Sequence, residues 1–245
     1  MNHYAKTLLA LVFVATWSVG CVRNQSASTP EQRRSPAGMT AKGSTSRPAA
    51  PKPKVKPTTA KVGKYMRATF AAGCFWCIQP PFDKLKGVIS TKVGYTGGVK
   101  PNPTYKQVAY GLTKHAEAIE VVYDPKVVSY ATLLKVFWTQ IDPTVTDRQF
   151  VDVGPHYRAA VFYHNEDQRK LAEKTKQLIA QSGCFKSPIV TFIVPARPFY
   201  DGEKYHQKFY KKSTYRYKSY RIGSGRDRFI ERYWSRCKVL NNWPK

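Results

Sequence analysis

The densest chemistry in the sequence is Gly73-Cys74-Phe75-Trp76-Cys77. Two thiols three residues apart can form a redox pair, supply half of a zinc site, or serve as small buried hydrophobes. Cys74 falls just after an expected strand, where a helical turn can begin. Free backbone N–H groups at a helix start stabilise a thiolate, so its pKa is expected to fall from about 8.5. Cys184 and Cys237 lie too far apart to form a second knuckle, which argues against zinc. The second feature is His115-Ala116-Glu117-Ala118-Ile119-Glu120-Val121-Val122-Tyr123. With a strand period of two, Glu117 shares a face with Ile119, Val121 and Tyr123. A carboxyl on an apolar face has its pKa raised from about 4.3 and can stay protonated, ready to donate. The alternative, of equal weight, is a Glu117 paired with a lysine at a sheet edge. The glycine pair Gly97-Gly98 lacks the spacing of a phosphate loop and reads as a turn.

These residues need a frame. Strands are expected over 67–73, 87–94, 115–123, 158–163 and 189–194, from their β-branched and alternating patterns. Helices are expected over 129–141, with Ser129 as N-cap, and 165–182, with Asn165 as cap and Gly183 as stop. Two further helices with basic outer faces are expected over 201–212 and 226–237. Pro80-Pro81 interrupts hydrogen bonding after the cysteine motif, so a distorted turn is expected there, with a regular helix starting near Pro81. Interleaved short strands and helices give an α+β fold, a two-layer domain with a mixed sheet spanning 67–245.

Composition bounds the rest. The chain has 245 residues, 41 Lys plus Arg and 15 Asp plus Glu, for a net charge of +26, with 42% hydrophobic residues. That apolar content excludes a wholly disordered chain, and five cysteines are too few for a disulfide-stapled scaffold of this length. Twelve basic residues and one acid, Glu31, lie within residues 1–67. Thirteen basic residues and four acids lie within residues 201–245. The charge alone points to anionic polymers or membrane surfaces, and a basic envelope-surface binding module is one rival reading. Residues 1–21 read as a signal segment: Lys6 precedes an apolar run from Leu8 to Val19, too short for a stable transmembrane helix. Ser18-Val19-Gly20-Cys21 resembles a bacterial lipoprotein cleavage site, which makes Cys21 a candidate for acylation; Ser18 stands where that site usually carries a large aliphatic residue. A plain signal cut nearby is the alternative. Residues 22–66, rich in Pro, Ala, Ser, Thr, Lys and Arg, read as a disordered basic tether. The expected location is the bacterial cell envelope or periplasm, with a membrane tether if Cys21 is acylated.

The cysteine motif is followed in order by Gly94-Tyr95-Thr96-Gly97-Gly98, Pro103-Thr104-Tyr105-Lys106-Gln107-Val108, His115-Ala116-Glu117-Ala118, Val136-Phe137-Trp138 and Asp142-Pro143. Asp152-Val153-Gly154-Pro155-His156-Tyr157-Arg158 completes the series. This series, covering about residues 67 to 235, resembles the A-type peptide methionine sulfoxide reductases (methionine-S-sulfoxide reductases). The resemblance implies a core related to the ferredoxin-like arrangement and reduction of methionine-S-sulfoxide, protein-bound or free. It implies Cys74 as the nucleophile on the sulfoxide sulfur, with Phe75 and Trp76 as the aromatic wall around the substrate methyl. Glu117 then protonates the sulfoxide oxygen, Tyr105 and Tyr157 hydrogen-bond it, and Asp152 orients the site. His115 and His156 are expected to be local hydrogen-bond partners. A sulfenic acid on Cys74 must be resolved by a second thiol; Cys77 and Cys237 are the candidates, Cys77 slightly preferred. No metal or organic cofactor is expected, only an external dithiol such as a thioredoxin-like protein. A monomer without nucleic-acid partners is expected. Gln79 stands where many family members have Glu, and Cys184 receives no role. The enzymatic rival is a thioredoxin-like thiol–disulfide oxidoreductase.

Overall fold

The computed structural model describes residues 59–244. The expected signal segment, Cys21 and the tether up to residue 58 lie outside them. In chain order the elements are β1 (Lys61–Val62), β2 (Tyr65–Ala72), α1 (Phe75–Asp83), β3 (Val88–Thr96), α2 (Tyr105–Ala109) and β4 (Ala116–Tyr123). Then come α3 (Tyr130–Trp138), β5 (Arg148–Gln149), β6 (Asp152–Val153), a 3-10 turn at Pro155–Tyr157, β7 (Ala159–Tyr163) and α4 (Glu166–Gln181). The chain continues through β8 (Phe192–Pro195), β9 (Tyr200–Asp201), α5 (Phe209–Lys212), α6 (Thr214–Gly223) and α7 (Arg226–Phe229).

The main sheet runs β8-β7-β2-β4-β3-β9, with β1 paired to the start of β2. Its pairings are antiparallel except β7 with β8, so the sheet is mixed. Alternation along β4 assigns its two faces. Ile119, Val121 and Tyr123 join the large apolar core, while Ala116 and Ala118 join a smaller cluster with Ala71, Ala160 and Phe162 on the other face. Helices α1, α3 and α4 cover the first face with Ile78, Phe82, Leu133, Phe137, Ala172 and Ile179. Phe70 of β2 anchors that layer, stacking on Phe82 at 5.4 Å and Phe137 at 5.1 Å. Ser129 and Asn165 cap α3 and α4, accepting from the N–H groups of Thr132 and Gln168.

The structure corrects several boundaries. The tether does not run to residue 66, because 61–62 and 65–66 already pair in the sheet. Helix α1 does not wait for Pro81. It begins at Phe75 and contains both prolines. Both lie past the first turn, so they remove the N–H donors that would serve the carbonyls of Trp76 and Cys77; Arg221 Nη1 satisfies the Cys77 carbonyl instead. The helix expected over 201–212 is confined to Phe209–Lys212. Ten residues not expected to be helical, Thr214–Gly223, form α6. Beyond α7 the helix widens to a π turn at Ile230–Trp234.

Cys184, which the sequence left without a role, forms a disulfide with Cys237 across a separation of 53 residues. It fixes the C-terminal segment, whose Trp234 donates to the Ile141 carbonyl and Trp243 to the Ala131 carbonyl. Closing a loop of that length restricts the unfolded chain by about 4 kcal/mol. The double variant Cys184→Ser, Cys237→Ser is therefore expected to melt roughly 10 °C lower while keeping turnover with dithiothreitol. Thermal unfolding and a sulfoxide assay check this; loss of recycling would return Cys237 to the resolving role.

Candidate active site

Gly73 sets the site in place. Its φ of +74° ends β2 and turns the chain into α1, and a Cβ there would lie 2.6 Å from Gln149 Cβ. Cys74 consequently sits at the N-cap of α1. The alternation of β4 places Glu117 on the core face, beside Tyr95 in the β3 register and under the start of α1. The Phe75 N–H donates to Glu117 Oε2 at 3.1 Å. β4 is an interior strand, and Glu117 is 2% exposed, so the edge-lysine alternative does not hold. The lysine-side role falls to Glu120 on the opposite face, which pairs with Arg67 at 3.3 Å.

A cavity of about 170 Å³ brings together Cys74, Phe75, Trp76, Tyr105, Glu117, Asp152 and Tyr157. These residues come from α1, α2, β4, β6 and the 3-10 turn before β7. An eighth wall residue, Tyr220 of α6, was not anticipated from the sequence. Its hydroxyl donates to the Asp152 carboxyl at 2.6 Å and also hydrogen-bonds Cys74. His206, also unanticipated, lies behind the aromatic wall. Trp76 Nε1 donates to its Nδ1 at 3.0 Å, and its ring meets those of Phe75 and Tyr105 at 4.9 and 4.6 Å. Burial lowers His206 to about 4, so it is the neutral imidazole that accepts from Trp76. Glu203 completes the support, accepting from the Tyr95 hydroxyl at 2.6 Å and the Tyr105 N–H at 2.8 Å. His115 stands away from the cavity wall, binding Gly98 N–H and the Lys100 carbonyl. Gln79 is satisfied by Thr91 and the Lys208 N–H.

The electrostatics divide the thiols in an unexpected way. Burial pushes Cys74 well above the ordinary thiol value, and its hydrogen bond with Cys77 and the neighbouring Glu117 push the same way. The expected lowering of Cys74 by the helix start is therefore overturned. The first N–H of α1 is spent on Glu117, and the desolvated thiol keeps its proton. Cys77 moves oppositely, to about 7, chiefly through the hydrogen bond from Cys74, with burial opposing and Arg226 and Arg221 adding to the lowering. The resting pair thus carries a thiol at Cys74 and a thiolate-forming partner at Cys77. Burial raises Glu117 to about 8, so its carboxyl is neutral at pH 7. Burial also raises Tyr105, to about 12, and Tyr157, so both remain hydroxyl donors. Cys237 is held by Cys184, whereas Cys74 and Cys77 are free and in mutual contact.

The cavity can therefore hold a small group with one polar oxygen and an apolar flank. Neutral donors surround the oxygen and indole and phenyl rings line the flank.

The family model described as peptide methionine sulfoxide reductase matches residues 66–238. Peptide methionine sulfoxide reductase MsrA of Bacillus licheniformis is 52% identical over 169 residues, 69% of this chain and 93% of that protein. The reduced form of Mxr1 from Saccharomyces cerevisiae shares the fold with a TM-score of 0.58 and 32% identity, covering 62% of this chain and 87% of that one. Methionine sulfoxide reductase A of Corynebacterium diphtheriae aligns with a TM-score of 0.56 and 30% identity, over 66% of this chain and 84% of that one.

Proposed function

The chain belongs to the peptide methionine sulfoxide reductase family, and we propose that it acts through Cys74 as nucleophile, Glu117 as proton donor and Cys77 as resolving thiol. The enzyme is an oxidoreductase that reduces methionine-S-sulfoxide at the expense of thiols. What carries the assignment of roles is one cavity lined by a thiol, a neutral carboxyl, two tyrosines and an aromatic wall. The sulfoxide oxygen sits among Glu117, Tyr105 and Tyr157, and its methyl lies against Phe75 and Trp76. Cys77, as the base in contact with Cys74, accepts its proton as the sulfur attacks. Glu117 delivers a proton to the oxygen, and the tyrosine hydroxyls stabilise the charge that develops on it. Methionine leaves, Cys74 is left as a sulfenic acid, and Cys77 closes a disulfide with loss of water. An external dithiol, from a thioredoxin-like protein, restores the pair. Asp152, held by Tyr220, orients the wall of the cavity.

The cellular setting follows the same reading. The apolar run before Cys21 and the basic, proline-rich stretch after it fit an exported enzyme on a tether, repairing envelope proteins as a monomer. The Cys184–Cys237 disulfide fits an oxidising compartment. The test uses a methyl sulfoxide substrate in both epimers with dithiothreitol. Turnover of the S epimer alone is expected; turnover of the R epimer at equal rate would remove the assignment of the pocket.

A further inference from the structure

Helix α1 has an opening in its hydrogen-bond ladder at the second cysteine. Pro81 stands four residues beyond Cys77 and has no N–H, so the Cys77 carbonyl has no helical donor. A side chain from α6 fills the gap: Arg221 Nη1 donates to the Cys77 oxygen at 3.0 Å, and the guanidinium also hydrogen-bonds the Cys77 side chain. Arg221 is itself anchored, by Gln140 Oε1 at 3.1 Å and by Asp227 Oδ1, which accepts from its Nε at 2.8 Å. Its neighbour Tyr220 reaches the other thiol, Cys74. Successive residues of one helix thus serve the two cysteines separately. The sequence reading used neither.

We propose that Arg221 holds Cys77 as the attacking thiolate in the resolving step, so that α6 supplies the residue on which disulfide formation depends more than the first step does. The proposal rests on the reading of Cys77 as resolving thiol. In this step the Cys77 sulfur attacks the Cys74 sulfenic sulfur, the new S–S bond forms and the S–O bond breaks. Cys77 is oxidised and the Cys74 sulfur reduced. The proton lost by Cys77 is balanced by the one that the leaving hydroxyl takes, beside Tyr220, so water departs and no outside oxidant is needed.

The need for a cation arises from the order of events. In the resting pair the largest stabiliser of the Cys77 thiolate is the hydrogen bond from Cys74. Once Cys74 is a sulfenic acid that S–H no longer exists. The groups facing Cys77 are then Glu117 from β4, Tyr217 and Arg221 from α6 and Arg226 from α7. Arg226 is fully buried and its charge also favours the Cys77 thiolate, but its Nη1 donates to the carbonyls of Ala72 and Gln140, its guanidinium lies on the face of Phe150, and its Nε and Nη2 have no hydrogen-bond partner among the described residues, Cys77 included. Arg221 is the cation that touches the thiol and its peptide directly.

Reduced enzyme mixed with one equivalent of methyl sulfoxide substrate, without reductant, separates the two chemical steps. Methionine formed reports the first, and the Cys74–Cys77 disulfide, measured by mass, reports the second. In Arg221→Gln the ratio of disulfide rate to methionine rate, taken relative to wild type at the same pH so that the loss of the Glu117 proton affects both proteins alike, is expected to fall about tenfold at pH 7 and to recover at pH 9, a shift of about one pH unit in the midpoint. Arg221→Lys keeps the charge and is expected to recover most of the ratio. Its methionine burst reports a folded site should the glutamine variant fail to fold. An unchanged ratio in Arg221→Gln, or equal losses in both steps across both variants, overturns the proposal. A disulfide on Cys74 that still forms in Cys77→Ser overturns the resolving-thiol reading itself, and the proposal with it.

Discussion

Cys74→Ser is expected to abolish methionine sulfoxide turnover, by at least about 10³-fold, while leaving the fold and melting temperature close to those of wild type. The site explains the size of the effect. Cys74 is buried, desolvation favours its protonated thiol, and in the proposed mechanism it is activated by passing its proton to Cys77. A serine hydroxyl is far less acidic than a thiol, so the same partner cannot ionise it, and an oxygen nucleophile forms no sulfenic acid to be resolved. The variant should therefore produce no methionine burst and no disulfide when mixed with substrate. Cys77 and the Cys184–Cys237 bridge remain as internal controls. Methionine released at the wild-type rate by Cys74→Ser would place the chemistry elsewhere in the chain.

The local order of the site was legible because its determinants are local. The β4 alternation put Glu117 on the apolar face, and the glycine ending β2 put Cys74 at a helix start; both follow from backbone geometry. The sign of the Cys74 shift was not legible, because it depends on how deeply the thiol is buried and on where the first N–H of α1 points. Both are set by elements far away in sequence. The pairing of Cys184 with Cys237 is likewise a fact of tertiary structure that spacing does not encode.

Helix α6 escaped for a different reason. Thr214–Gly223 buries no residue fully and carries no continuous apolar stripe. It is held through polar contacts of Tyr220 and Arg221 with α1, β6 and the Gln140 loop, which no hydrophobic period reveals. The C-terminal charge misled in the same way. Arg226 falls in a helix expected to carry a basic outer face, yet it is wholly buried, and Arg221, between the two expected helices, turns inward to the cysteine pair. Part of the positive charge of this segment therefore belongs to the electrostatics of the site rather than to an anionic partner.

Glu117→Gln isolates the proposed proton donor. Glutamine keeps the size of the side chain and the oxygen that accepts from Phe75, but it cannot release a proton. A fall in kcat of roughly 10²- to 10⁴-fold is expected, with substrate affinity little changed because the tyrosines and the aromatic wall remain. The pH dependence gives an independent reading. With Glu117 at about 8, the wild-type rate governed by this acid is full below that pH and falls above it. The limb should vanish from the residual rate of the variant. Stability should fall with rising pH as well. The unfolded carboxyl titrates near 4.3 and the folded one near 8, so the folded state binds the extra proton between those values. The stability contributed by this group is complete below about pH 4 and is lost as pH rises through the folded value. Removing the ionisable group abolishes that loss, so Glu117→Gln should be more stable than wild type at pH 9, the difference shrinking toward pH 5. Thermal unfolding of both proteins across that range measures it. A variant with wild-type kcat would take the proton-donor role from Glu117, and parallel stability curves from pH 5 to 9 would mean that the folded protein does not bury this carboxyl in its neutral form.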